Sequence, residues 1–184
     1  MELKQLISEC AKGSTTAQRY LFDKFSTRFL LLCNRYLKQD EDAEDAMMNG
    51  FLQIFQSLSK FRFENDAACI SWMKKIMVNK CLEIIRSKHR FLSVVDESKA
   101  EDIAIDETLY QQLEVKAILA CIEKLPIGYR TVFNLYVIES YSHKEIAALL
   151  NIREGTSKSQ LNRAKQYLQN LILEQDKFIQ HATK

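Results

Sequence analysis

Residues 141–171, YSHKEIAALLNIREGTSKSQLNRAKQYLQNL, decide how the rest of the chain is read. Ser142 and Glu145 stand three apart ahead of an apolar stripe. This is the pattern of a capping box, in which each side chain satisfies a free backbone donor at a helix start. Ile146, Ala147 and Leu150 then line one face of a short helix, and Ala147 is small enough for a close helix crossing. Asn151 falls where the chain must turn, and asparagine is among the few residues besides glycine that tolerate a left-handed backbone. Ile152 is expected to plug that turn into the core. A second helix follows, with Leu161, Ala164, Leu168 and Leu171 inward and Lys158, Ser159, Gln160, Asn162, Arg163 and Lys165 outward. Amides and cations on the leading turns of such a helix suit the DNA major groove, where amides and guanidinium groups read base edges while lysines and serines hold phosphates. Taken alone, the pattern favours DNA binding, with an ordinary helical hairpin bearing a solvated charged face as the alternative.

Working outward, Leu125-Pro126 starts a preceding helix, with Pro126 in a first-turn position that tolerates its missing N–H. Helical spacing reaches back to Leu113 through Val115, Ile118, Leu119 and Ile122. Residues 91–112, FLSVVDESKAEDIAIDETLYQQ, mix acids with isolated aliphatics and lose periodicity, as a linker does. In the N-terminal half, Leu3, Leu6 and Ile7, then Tyr20, Leu21, Phe25, Phe29, Leu32, Cys33, Tyr36 and Leu37 keep helical spacing on either side of a turn at 12–18. A further helix begins in the acidic run Asp40–Asp45, where carboxylates oppose the positive end of the helix dipole, and continues through Met47, Phe51, Leu52, Ile54, Phe55 and Leu58. Four glycines and one proline in 184 residues leave too little turn punctuation for many short strands, so the chain is expected to be all-α.

The segment KFRFENDAACISWMKKIMVNKCLEIIRSKHR, residues 60–90, combines a loop with an apolar and basic helix from Ile70. Ile70, Met73, Met77, Cys81 and Ile84 form a stripe expected to be buried, while Lys75, Asn79, Arg86 and Arg90 share another face. Phe61, Phe63 and Trp72 bracket the loop. Aromatics beside cations can hold an unstacked base while gripping its backbone. A core tryptophan and a solvated basic face explain the same residues without a ligand.

Charge divides along the chain. Residues 1–90 hold 15 Lys/Arg against 11 Asp/Glu, residues 91–112 hold 1 against 6, and residues 113–184 hold 10 against 7. Two mildly basic blocks thus flank an acidic segment, which suggests two nucleic-acid-facing modules joined by a linker. The five cysteines lie far apart, with no C-x-x-C pair, and three scattered histidines support no metal site. No apolar run approaches the roughly 20 residues that a membrane span needs. The charged N-terminus is unlike a signal peptide. A cytoplasmic protein without cofactor, metal or catalytic residues is expected.

Together and in this order, the two signals resemble bacterial sigma factors of the extracytoplasmic-function type, in the sigma-70 family. The resemblance covers about residues 1–175, with the linker matching only in character. DAEDAMMNGFLQIF (42–55) is similar to the clamp-binding helix of that family's region two, and SWMKKIMVNKCLEIIR (71–86) to its promoter-melting helix. LPIGYRTVFNLYVIESYSHKEIAALLNIREGTSKSQLNRAK (125–165) follows the pattern of its region four. Departures are Met48 and Asn49 for a commoner glutamine–acid pair, Cys69 for an aromatic, Arg153 for a capping serine, Ser157 for an aliphatic and Gln160 for an arginine. The loop before the melting helix is about two residues longer than usual.

The resemblance implies an architecture of two small helical domains. A region-two bundle (1–90) and a region-four helix-turn-helix (113–175) are joined by the acidic linker (91–112) and followed by a frayed tail (176–184). It implies that Asp42, Glu44, Asp45 and Asn49 dock on the clamp of the largest subunit of core RNA polymerase, and that region four meets the flap of the second. Phe61, Arg62, Phe63, Asn65, Trp72, Lys75, Asn79 and Arg86 would serve the minus-ten element, where the loop 61–71 helps capture a flipped base. Thr156, Lys158, Ser159, Gln160, Asn162, Arg163 and Lys165 would read the minus-thirty-five element. The linker would thread the polymerase's RNA path, where a channel built for polyanions attracts acidic chain. Promoter DNA and core polymerase are the implied partners, an anti-sigma factor is an expected restraint, and the free protein is expected to be a monomer. A stand-alone regulator would explain residues 141–171 but leave the helix at 70–90 without a task. An enzyme would need convergent acids or a nucleophile–base pair, and neither is visible.

Overall fold

The computed structural model describes residues 2–88 and 115–182, with side-chain environments over 2–88 and 120–173. These residues are helical with no strand among them, as expected. The chain divides into two compact units, Met1–Lys88 and His89–Lys184. The segment assigned to the linker, 91–112, lies outside the described residues.

The first unit contains α1 (Leu3–Ala11), α2 (Thr15–Tyr36), α3 (Asp40–Ser57), a 3-10 turn at Leu58–Lys60, and α4 (Asp66–Lys88). The stretch 12–18 holds a turn followed by an N-cap, as its composition suggests: Ser14 caps α2 by accepting the Ala17 N–H on Oγ. Leu21, Phe25, Phe29, Leu32, Cys33 and Tyr36 recur three or four apart along α2 and are buried. Tyr20, which shares their apolar character, faces outward at 47% exposure. Asp40, Glu41 and Asp42 occupy the first turn of α3, where the helix dipole favours carboxylates. Phe51 of α3 meets Phe29 and Phe22 of α2 at ring distances of 5.7 and 4.7 Å. Removing side chains of this size from water contributes on the order of 1.5–3 kcal/mol each, which is why the aromatic stripe sets the bundle.

Helices α3 and α4 approach closely at Gly50, where a Cβ would lie 2.3 Å from Met77 Sδ. α4 begins at Asp66, four residues before the expected Ile70, because Asn65 accepts the Ala68 N–H at 2.8 Å on its side chain. The buried stripe is accordingly Cys69, Met73, Met77, Cys81 and Ile85, with Val78 and Leu82, while Ile70 and Ile84 fall at its margin. All five cysteines are buried thiols. Burial pushes the thiols of Cys10 and Cys69 up to about 11, and a bond with Cys33 joins burial in raising that of Cys81.

The second unit contains α5 (Val115–Lys124), α6 (Ile127–Phe133), a π-helical turn at Asn134–Ile138, α7 (His143–Leu150) and α8 (Glu154–Ala182). Pro126 stands just before α6 as its N-cap, one position earlier than expected, and its carbonyl accepts the Arg130 N–H at 2.9 Å. The capping box at Ser142 and Glu145 forms in both directions, with the Ser142 N–H donating to Glu145 Oε2 at 2.8 Å. Asn151 takes the left-handed conformation (φ 54°, ψ 48°) that the tight turn requires. Ile152 is half-buried rather than a core plug, and Ile172 takes the inner position expected of Leu171. The α8 backbone stays helical to Ala182, through most of the stretch read as a frayed tail.

Candidate nucleic-acid interface

In the first unit, Asn65 and Asp66 start α4 at the point where the aromatic loop ends, so the loop proper is 61–65 and residues 66–71 are helix. Phe61 and Trp72 stack on one another, ring centroids 4.2 Å apart with 22° between planes. Phe63 is half-buried beside them in sequence, and Arg62 is exposed. Lys75, Asn79 and Arg86 stand exposed on α4, at spacings that continue the turn bearing Trp72. The arrangement offers a two-ring aromatic platform beside a polar and cationic helix face. Asn65, grouped with these residues from sequence, has its side-chain oxygen committed to the helix cap.

The acidic start of α3 presents Glu44, Asp45 and Asn49 to solvent. Asp42 is held differently: both its carboxylate oxygens accept from Lys88 Nζ, at 2.6 and 2.7 Å. Two apolar side chains that sequence reasoning left out of this face, Met48 and Leu52, are 50% and 56% exposed. Their signal is present in the spacing, since Met48 lies one turn beyond Glu44 and Leu52 one turn beyond Met48. Leu52 had been read as part of the inner stripe.

In the second unit, α8 needs a correction. Lys158 is exposed, and Thr156, Arg163 and Lys165 are half-buried. Ser159 and Asn162 are only 8% exposed and Gln160 1%, so these three do not stand on an outer face. The inner stripe of α8 runs through Ser157, Gln160, Leu161, Ala164, Leu168 and Ile172 and is wide enough to take in polar positions at its edges. Gln160 lies over Gly128 of α6, where a Cβ would come within 3.3 Å of its Oε1. Neither of its amide atoms finds a partner among the described residues. The Ser159 hydroxyl donates to the Thr156 carbonyl at 3.0 Å. Ahead of the stripe, Lys158 pairs with Glu154 at 2.9 Å, which holds that carboxylate below its ordinary range.

The described residues hold no group of three or more His, Cys, Asp or Glu side chains able to take a metal, and no helix long and apolar enough to cross a membrane. The first unit presents an aromatic and cationic face at Phe61, Trp72, Lys75 and Arg86, and the second a cationic one around Lys158.

Comparisons with known proteins divide the chain at the same place. Residues 21–91 match Sigma-70 region 2, and residues 116–168 match Sigma-70, region 4. Similar along most of the length is the ECF RNA polymerase sigma factor SigM of Mycobacterium tuberculosis, 28% identical over 171 residues, covering 90% of this chain and 84% of the relative. SigW of Bacillus subtilis is 26% identical over 180 residues, covering 91% and 95%. The ECF RNA polymerase sigma-E factor of Escherichia coli K12 is 27% identical over 179 residues, covering 91% and 92%.

Proposed function

The chain belongs to the sigma-70 family, as an RNA polymerase sigma factor of the extracytoplasmic-function type, and we propose that its two units divide one promoter between them on core polymerase. The observation that carries this is the presence in one chain of both regions, each matched to a separate compact unit. A stand-alone regulator has no use for the first of them. As a sigma factor the protein performs no chemistry. The polymerase supplies catalysis, and the work is done in the cytoplasm.

In this reading the first unit (1–90) docks on the clamp through Glu44, Asp45 and Asn49, with Met48 and Leu52 adding apolar area to the same face. Phe61, Arg62, Phe63, Trp72, Lys75, Asn79 and Arg86 engage the minus-ten element. The second unit (113–175) meets the flap and places Thr156, Lys158, Arg163 and Lys165 against the minus-thirty-five element. Residues 91–112 join the units through the RNA path, and the free protein is a monomer.

The energetics assign the first unit a limited task. Opening duplex DNA costs roughly 1.4 kcal/mol per base-pair step. Stacking one base on an aromatic returns about 1–3 kcal/mol. A platform such as Phe61–Trp72 has affinity for an unstacked base and none for a stacked one, so it biases the duplex toward the open state. One captured base nucleates melting; the rest of the bubble depends on the polymerase.

The test is transcription in vitro with core polymerase on a genomic library, together with gel filtration of the two proteins. New start sites and co-elution are expected. A polypeptide that never co-elutes with core and leaves transcription unchanged overturns the proposal.

A further inference from the structure

Three elements of the second unit meet on one imidazole. His143, the first residue of α7, stacks on Tyr136 of the π-helical turn with ring centroids 4.4 Å apart and 21° between planes. Its Nδ1 lies 2.9 Å from Oγ of Ser157 in the first turn of α8. Ser157 is fully buried. Where an aliphatic residue would pack without direction, this chain places a hydroxyl, and a hydroxyl enclosed at a helix crossing needs an oriented partner.

We propose that His143 is a positioning residue for the DNA-reading helix: braced on Tyr136, it holds Ser157 and so sets how α8 leaves the turn. This rests on the assignment of α8 to the minus-thirty-five element. With the ring neutral and its proton on Nε2, Nδ1 accepts from the Ser157 hydroxyl. Protonation makes Nδ1 a donor, so the bond must reverse and the hydroxyl proton must turn to another acceptor, such as the carbonyl four residues back.

The charges around the ring favour the neutral form. Lys158 and Lys165 face it from α8 with Glu154 as the opposing carboxylate, Tyr136 faces it from the π-helical turn, and Lys144 follows it on its own helix. Burial first, then Lys158 and more weakly Lys165, hold the imidazole below its ordinary 6.5 against the opposing pull of Glu154. The bond in which Ser157 donates to Nδ1 is therefore complete above about pH 6.5 and gives way to the reversed one, with the hydroxyl re-aimed, as pH falls through the lower folded value. The same protonation adds a positive charge that strengthens indiscriminate attraction to phosphate. Discrimination between sequences, rather than affinity, is the quantity that should fall.

The experiment uses the full chain reconstituted with core polymerase. Its probe is a duplex that the wild-type holoenzyme recovers from a library randomised at the minus-thirty-five element, competed against a scrambled duplex. Between about pH 7.5 and a pH about one unit below the His143 titration midpoint read by nitrogen-15 resonances, wild-type discrimination is expected to fall about five- to tenfold, because the re-aimed hydroxyl no longer holds the start of α8 in the same place. His143→Asn retains an acceptor close to the Nδ1 position and does not titrate, so it should discriminate like wild type at the higher pH and hold that level at the lower. His143→Phe retains the stack but not the bond, and should discriminate poorly at both. An H143N profile that tracks wild type, or an H143F variant equal to wild type at the higher pH, overturns the proposal. A preferred duplex with a flat wild-type profile defeats this proposal alone, whereas recovery of no preferred duplex defeats the assignment of α8 itself. Nitrogen-15 resonances of His143 in the free full chain give a second readout, and a ring that titrates at or above 6.5 also overturns it.

Discussion

Lys88, at the end of α4, closes onto Asp42 in the first turn of α3, its Nζ 2.6 and 2.7 Å from the two carboxylate oxygens. The pair joins residues 46 apart in sequence and ties the last turn of one helix to the first turn of another. Asp42 is the inner partner, with 18% of its side chain exposed against 48% for Lys88. An acid that the family resemblance implies for polymerase docking is therefore held by an intramolecular partner.

Removing that partner should be cheap. Lys88→Ala is expected to lower unfolding stability by about 0.5–1 kcal/mol, the scale of a half-exposed ion pair. Urea denaturation at low and at high salt checks this, since screening should shrink the difference. A loss above about 2 kcal/mol, or one insensitive to salt, would mean that the pair is more desolvated than its exposure indicates.

The close approach at Gly50 yields a sharper expectation. In a free helix, Gly→Ala is stabilising by about 1 kcal/mol. Here the added methyl would enter the space of Met77 Sδ. Met77 is fully buried, so its thioether has little room to swing aside, and overpacking of this kind costs about 1–3 kcal/mol; set against the helical gain, Gly50→Ala should be destabilising by up to about 2 kcal/mol. Thermal unfolding of Gly50→Ala with and without Met77→Ala tests the mechanism, because the second change should relieve part of the first. A Gly50→Ala protein more stable than wild type would show that α3 and α4 are not closely packed at this point.

Gln160 is 1% exposed, and neither amide atom has a partner among the described residues. Exchanging a buried, unpaired amide for an apolar group of similar shape is neutral or stabilising. Gln160→Met is thus expected to raise the unfolding midpoint or leave it unchanged, and to leave promoter selection intact. A loss of more than about 1 kcal/mol of stability, or a changed preference at one base position, would restore Gln160 to the role that its sequence position suggested.

Asn79 stands exposed on the α4 face that follows the Phe61–Trp72 stack. Asn79→Ala should impair open-complex formation, measured by permanganate reactivity of the bubble, more than it impairs co-elution with core polymerase. Loss of a contact worth about 1.4 kcal/mol corresponds to roughly tenfold in the open-complex equilibrium. Equal losses in both assays would place Asn79 in docking or in folding.

Lys158 and Arg163 carry the cationic character of the leading turns of α8. Each phosphate contact contributes a slope of about −0.9 to the dependence of log affinity on log salt. Replacing both by alanine should weaken promoter binding and flatten that slope by nearly two. An unchanged slope would place both side chains away from the DNA backbone.

Local signals were sufficient for much of this molecule. The capping box at Ser142 and Glu145, the left-handed Asn151 and the aromatic stripe of α2 follow from short-range rules, because caps, turns and helical periods involve residues a few positions apart. Order along the chain, with an aromatic and basic helix before a helix-turn-helix, was enough to indicate the family. Only the tertiary structure decided which polar side chains face inward. Ser159, Gln160 and Asn162 look like a reading face in sequence, yet α8 lays them against its neighbours, since a buried stripe is chosen by what packs on it and not by polarity alone. The Asp42–Lys88 tie, the Gly50–Met77 contact and the His143–Ser157 bond join residues 46, 27 and 14 apart. No periodicity reports such pairs; they exist because helices cross, and the crossing is set by the whole core.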